Sequence, residues 1–271
     1  MAVAYEVQDI TPTLAMKWLN TVNTHNRNMR TGRVADYARD MRLGQWRENG
    51  DAIRFADDGT LLDGQHRLAA VVESGCTVPM LVVTGLDVAA QDTVDDGIRR
   101  TLPDVLKLRG ETDVMSLAAV LRRAFLWETY PERTPRGFVK IRPTNAEALE
   151  TLRRHPELRV AASEGARMAQ HVALPKSTLA LAHWLFYGID ESDAAEFFSQ
   201  LTVADGLRKN DPVFQLRKRA FFWRQQPRRE HDFIVFAHVV KAWNAYRDGT
   251  SIEVLSYRGG GSRAEPFPQP R

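Results

Sequence analysis

The chain has 271 residues but only one cysteine, Cys76. A lone cysteine cannot close an internal disulfide, and it excludes a zinc site built on several thiolates. No apolar run reaches the roughly eighteen residues that a membrane-crossing helix needs. The opening Met1-Ala2-Val3-Ala4-Tyr5-Glu6 lacks the basic and apolar stretches of a secretory leader, so a cytoplasmic protein is expected. Neither Gly-x-x-x-x-Gly-Lys nor Gly-x-Ser-x-Gly occurs, so a Walker nucleotide site and a serine-hydrolase elbow are unsupported. The 7 histidines form no two-histidine helical motif with an acid, and no metal ligands are expected from them.

What is present suits a folded core: 44% of the residues are hydrophobic and 26% charged. The net charge of +3 is unevenly spread. Residues 207–247 hold ten Lys/Arg against three Asp/Glu, which leaves the remainder slightly acidic. A local basic excess points to a polyanionic partner. A solvated helix face explains it equally well, and both explanations stay open.

Residues 5–10 alternate weakly and predict a strand. Thr11-Pro12 predicts a helix start, with Thr as cap and Pro at the first helical position. Val34, Tyr37, Ala38 and Met41 recur at helical spacing in a second helix that Gly44 is placed to end. Asp57-Asp58-Gly59 between two apolar runs predicts a hairpin. A helix follows as far as Gly75, then a buried strand over 78–83 and short helices over 89–95 and 102–108. Beyond Gly110 the pattern is helical: 114–130, 145–154, 157–170, 176–187, 191–201, 212–225 and 231–246. A proline-rich connection lies at 131–137, and a short strand is expected at 252–257.

The sharpest local feature is Leu61-Leu62-Asp63-Gly64-Gln65-His66-Arg67-Leu68, where an apolar strand meets a glycine and a helix begins at once. The first N–H groups of a helix have no partners within it and carry partial positive charge. Glycine there lets an anion approach the backbone. Arg67 adds a planar, always-charged donor, and His66 a donor that titrates near neutrality. Together they predict a phosphate pocket. The plainer alternative makes Asp63 a helix cap, Gly64 a turn and Arg67 a surface charge.

The order of elements around this corner resembles the ParB/sulfiredoxin superfamily over about residues 5–110. In ParB proteins a loop with Asn and Arg precedes a helix, a hairpin and a Gly-Glu-Arg-Arg corner. Here Asn23-Thr24-His25-Asn26-Arg27 occupies the loop and Gly64-Gln65-His66-Arg67 the corner. The Asp-Gly-Gln-His-Arg string is similar to that of phage and actinobacterial proteins of the ParB-like nuclease type. The resemblance implies a nucleotide ligand (CTP, ATP or ADP), with Mg2+, held by Gly64, Gln65, His66 and Arg67. His25, Asn26 and Arg27 would line the same face. In the charged loop after the last strand, Arg99 and Arg100 are placed either to close over phosphates or to pair with Asp95 and Asp96 at the surface. Sulfiredoxin carries a reactive Cys where Gln65 stands, so its chemistry is not expected. Free-serine kinases of the superfamily have a His-His-Arg corner, closer to this one, and move phosphoryl groups.

Other candidates lie outside the corner. The resemblance implies that Glu48, just before the hairpin, runs near the phosphate pocket, where it would hold Mg2+ or deprotonate a nucleophile; the alternative is a turn residue before an edge strand. Glu48, Asp63 and His66 are therefore the candidate catalytic set. In Arg217-Lys218-Arg219-Ala220-Phe221-Phe222-Trp223-Arg224 basic residues interleave with aromatics, a pattern that pairs with phosphates and stacks on bases. Arg217, Lys218, Arg219 and Arg224 are the candidate nucleic-acid contacts. The alternative is an amphipathic helix with a core stripe of Val213, Leu216, Ala220 and Trp223. The helices over 176–187 and 191–201 have helix-turn-helix spacing, but Glu191, Asp193 and Glu196 on the second would repel phosphate.

The expectation is thus an α+β protein: a small ParB/sulfiredoxin-like α/β domain over 1–110, an all-helical domain over 111–257, and a flexible tail over 258–271 rich in Gly and Pro. Two functional readings follow. One is a ParB-like nucleic-acid-binding protein with a nucleotide or phosphate site at Gly64–Arg67. The other is a phosphotransferase or nucleotide hydrolase acting at the same corner on a nucleotide, a DNA base or a small metabolite. DNA and a nucleotide are the expected partners, and a homodimer is compatible with either reading.

Overall fold

Thr11 does cap a helix: its hydroxyl accepts the Leu14 N–H, and Pro12 opens the first turn. In the computed structural model, which describes residues 2–24, 29–93, 101–130, 141–227, 230–261 and 263–271, the chain has an α+β architecture. Two compact units divide it, residues 1–99 and residues 100–271. Among the described residues no helix is long and apolar enough to cross a membrane.

The first unit runs β1 (Ala4–Ile10), α1 (Pro12–Thr21), α2 (Thr31–Arg42), β2 (Ile53–Ala56), β3 (Leu61–Asp63), α3 (Gln65–Ser74) and β4 (Val78–Leu86), then a 3-10 turn (Val88–Thr93). Its sheet has the order β1-β4-β2-β3. β1 lies antiparallel to β4, from Ala4 opposite Thr84 to Ile10 opposite Val78. β2 and β3 form the antiparallel hairpin, and β2 runs parallel to β4. Apolar residues of β2, β3 and β4 bury one core with the inner sides of α1, α2 and α3, among them Ile53, Leu61, Met80, Ala15, Ala38, Leu68 and Val71. Trp18 meets Phe55 edge to face at 4.9 Å. β1 gives this core only its last residue, Ile10; Tyr5 and Val7 stay exposed.

The second unit is helical: α4 (Leu102–Leu108), α5 (Val114–Thr129), α6 (Asn145–Arg154), α7 (Leu158–Met168), α8 (Lys176–Tyr187), α9 (Glu191–Val203), α10 (Pro212–Gln225) and α11 (Asp232–Arg247). Capping boxes start α4 (Thr101 with Asp104) and α6 (Thr144 with Glu147), where side chains satisfy the first N–H groups. α7 and α8 approach so closely at Gly165 that a Cβ there would lie 2.6 Å from the Ala180 nitrogen and the Lys176 carbonyl. One cluster of buried residues joins α4 to α7, with Leu106, Leu121, Leu152 and Leu158. A larger one joins α8 to α11, where the Trp243 ring stacks on Phe186 at 4.3 Å and meets Phe197 edge to face.

Three expectations need correction. The expected first domain ran to residue 110, but Leu102 and Leu106 of α4 are buried with Leu117 and Leu121 of α5, so this helix belongs with the second unit. The stretch 252–257 is not a strand; it is irregular, with Leu255 and Tyr257 buried, and its alternation reflects packing rather than sheet pairing. The tail over 258–271 is fastened to α11. Trp243 donates its indole N–H to the Arg271 carbonyl (3.1 Å), Asn244 donates to the Gln269 carbonyl (2.8 Å), and Lys241 pairs with Glu265. Phe267 packs against the buried cluster. The proline-rich connection at 131–137 lies outside the described residues.

Candidate functional site

Two places carry the residues singled out from the sequence. The first is the corner between β3 and α3. Gly64 adopts φ 112°, ψ −1°, and a Cβ there would lie 2.5 Å from the Ile53 side chain and 3.3 Å from its Cα. Glycine is therefore required both by the backbone conformation and by β2 passing beneath. Gly64, at the N-cap position of α3, has no side chain of its own to cap the helix.

The charged groups of the corner turn inward. Asp63 accepts the Gly64 N–H with one oxygen (2.7 Å); with the other it accepts Arg54 Nη1 (2.7 Å) and Arg67 Nη2 (2.8 Å). Arg67 also donates to the Ala52 carbonyl (2.8 Å), and its Nη1 lies 3.8 Å from Asp51. The Arg67 side chain is only 11% exposed. The outward-facing phosphate donor expected at this position is instead an internal tie. Asp63 stands one helical turn before Arg67 and draws the guanidinium back over the corner. His66 is buried as well, and its Nε2 accepts the Arg30 N–H at 3.0 Å, which holds the start of α2. At that nitrogen it is an acceptor, not the expected donor. Gln65, also buried, accepts from Asn23 Nδ2 at 3.5 Å.

Glu48 is exposed in the irregular segment before β2, and among the described residues no hydrogen bond or ion pair joins it to the corner. Asn49 and Asp51 are occupied with each other. His25, Asn26, Arg27, Arg99 and Arg100 lie outside the described residues. Arg54 was not foreseen as part of the corner; its only signal was a charge in a short apolar strand. Among the described residues no group of three or more His, Cys, Asp or Glu side chains converges as a metal site.

The second place is α10, in the second unit. Val213, Leu216 and Ala220 face the core and Trp223 is half-buried. Arg217 donates to the Leu201 and Thr202 carbonyls at the C-terminus of α9, where a cation also meets the negative end of the helix dipole. Arg219 lies over the rings of Phe222 (5.8 Å) and Trp223 (5.7 Å). Lys218 and Arg224 point to solvent, and among the described residues neither has an ion-pair partner. Of the four expected nucleic-acid contacts, two are thus committed within the protein and two face outward.

Between α10, the turn after α7 and the turn after α9 lies a cleft of about 500 Å³. Arg217, Lys218 and Arg224 line it with His171, Phe214 and Phe221, and among the described residues no acidic one does. The Phe221 ring is 61% exposed. The walls contributed by His171 and Leu207 were not legible in sequence, because they come from turns far apart along the chain. In the helix-turn-helix candidate, Arg247 pairs with Asp190 and Asp193, which ties α11 to the acidic start of α9.

No family model matches the chain, and no curated protein or solved structure is detectably similar to it. The ParB/sulfiredoxin resemblance therefore rests on the loop and corner residues that carry it.

Proposed function

We propose that this protein binds nucleic acid through α10 of its second unit, with a ParB-like first unit. The observation that carries the reading is the cleft beside α10, where three basic side chains and a histidine meet without one acid among the described residues. Outward-facing cations such as Lys218 and Arg224 release counterions from a polyphosphate backbone on contact, and that release drives binding. A surface helix that merely needed solubility would mix both signs, as the Glu150–Arg153 and Glu164–Arg167 pairs of α6 and α7 do.

Within this reading, phosphate or a nucleotide with Mg2+ belongs at the start of α3. The support is the left-handed glycine and the two guanidiniums, Arg54 and Arg67, an anion having to share these with Asp63. Phosphoryl transfer gains less support. Asp63 is occupied by three donors, and Glu48 stands apart from it.

The test is a salt titration of DNA binding. Lys218→Glu with Arg224→Glu should weaken binding to every sequence and flatten the dependence of log K on log salt. Removing one cation–phosphate pairing lowers that slope by about 0.9 on duplex DNA. A wild-type protein with no DNA or RNA affinity at low salt would overturn the reading. A thermal-shift series with CTP, ATP and ADP, each with Mg2+, tests the corner separately.

A further inference from the structure

We infer that the cleft beside α10 takes an unpaired base, so that the preferred ligand is single-stranded rather than duplex nucleic acid. The inference rests on the nucleic-acid reading above but on different observations, namely a ring and a cavity instead of charge. Phe221 shows 61% of its surface and lies on the wall of the cleft. A helix that only covered a core would bury such a ring, and α10 has four residues, Val213, Leu216, Ala220 and the half-buried Trp223, that already do so.

The arrangement along the helix fits a strand of alternating phosphates and bases. Lys218, Phe221 and Arg224 recur at three-residue intervals on one side of α10, so a cation stands one turn to either side of the ring. Arg217, on the same side, is held by the Leu201 carbonyl, which fixes the wall behind Phe221. His171 and Leu207 close the cleft across from the helix. A pocket of about 500 Å³ falls within the range that holds small planar ligands. A paired base inside a duplex has both faces stacked on its neighbours and cannot lie against the Phe221 ring, whereas a splayed base can stack on it while the flanking phosphates meet Lys218 and Arg224.

Phe222 serves as an internal control. It is the neighbouring aromatic, 49% exposed, but it lies under the Arg219 guanidinium and does not line the cleft.

The experiment is fluorescence anisotropy with the full chain, a labelled oligothymidine and a labelled duplex of equal length, at one fixed low salt. The single strand should bind tighter. Phe221→Ala should weaken single-strand binding by roughly five- to hundredfold, the range of one base–aromatic stack, and leave duplex binding unchanged. Phe222→Ala should leave the preference in place. Melting curves should show both variants folded, since both rings are largely exposed. Equal or tighter duplex binding, or a Phe221→Ala variant that keeps the full single-strand affinity or weakens both ligands alike, overturns the inference while leaving the nucleic-acid reading standing. Absence of binding to either ligand overturns that reading itself.

Discussion

At the scale of single residues, the corner shows how a residue type can be read correctly and its role misread. An arginine four residues after an aspartate at a helix start offers a guanidinium to a ligand or to that aspartate, and Asp63 takes it. Removing Arg67 leaves Asp63 short of one of its donors and the Ala52 carbonyl without its side-chain partner. Breaking a largely buried pair of this kind costs about 2–4 kcal/mol. Arg67→Ala should therefore lower the urea midpoint of the first unit, whatever it does to anion binding. Gly64→Ala should be damaging for a different reason. It places a side chain at φ 112° and against Ile53, and it should cost about 2 kcal/mol or more in the same measurement. That Gly64 sits at a turn between strand and helix was legible in the sequence; its left-handed backbone came from the structure. Nor was its clash with Ile53 legible, because β2 reaches the corner only through the hairpin.

At the scale of elements, most helices announced themselves through apolar spacing and caps, and Asn145–Arg154, Lys176–Tyr187 and Pro212–Gln225 have the limits expected of them. What the spacing left unspecified was the partner. α4 is too short for its apolar side to name α5 as its neighbour, and the Gly/Pro-rich stretch after residue 257 looked loose because its anchors, Trp243 and Asn244, lie on a helix already read as core. Gly165 is a similar case: nothing local marks it as the point where α7 meets α8. Gly165→Ala should raise intrinsic helix propensity and yet destabilise the second unit by about 1–3 kcal/mol, because the methyl must push back the Ala180 and Lys176 backbone. A gain in stability on chemical denaturation would mean that the two helices separate without cost. Ala204 gives the opposite expectation. It ends α9 at φ 62°, so Ala204→Gly should stabilise by about 0.5–1 kcal/mol.

At the scale of the whole molecule, two units with separate cores should unfold in separable steps, and a single midpoint would then describe neither. Gly64→Ala should move one transition and Gly165→Ala the other, as read by a denaturation series with local fluorescence probes. Acid should weaken the second unit. Burial, the largest influence, holds the His183 and His238 imidazoles below the ordinary value of 6.5, with Arg167 pressing the same way on the first, and Arg219 and Lys241 on the second. The unfolded chain then binds more protons than the folded one, so stability is complete above about pH 6.5 and falls as pH drops through it. Glu265, lowered chiefly by its bond to Lys241, adds its loss only below its ordinary value of 4.5. His183→Phe with His238→Phe should flatten the upper part of the stability–pH curve and leave the lower part. The sheet of the first unit carries a consequence for timing. β1 pairs with β4 alone, so the strand made first must wait for the strand made last, while α1, α2, the hairpin and α3 emerge between them. Ring closure from Ile10 to Val78 is long, whereas the helix pairs of the second unit close over short turns. A ribosome that pauses between those two strands holds a nascent chain with an unsatisfied β edge, and that interval is when the polypeptide is most open to pairing with the wrong neighbour.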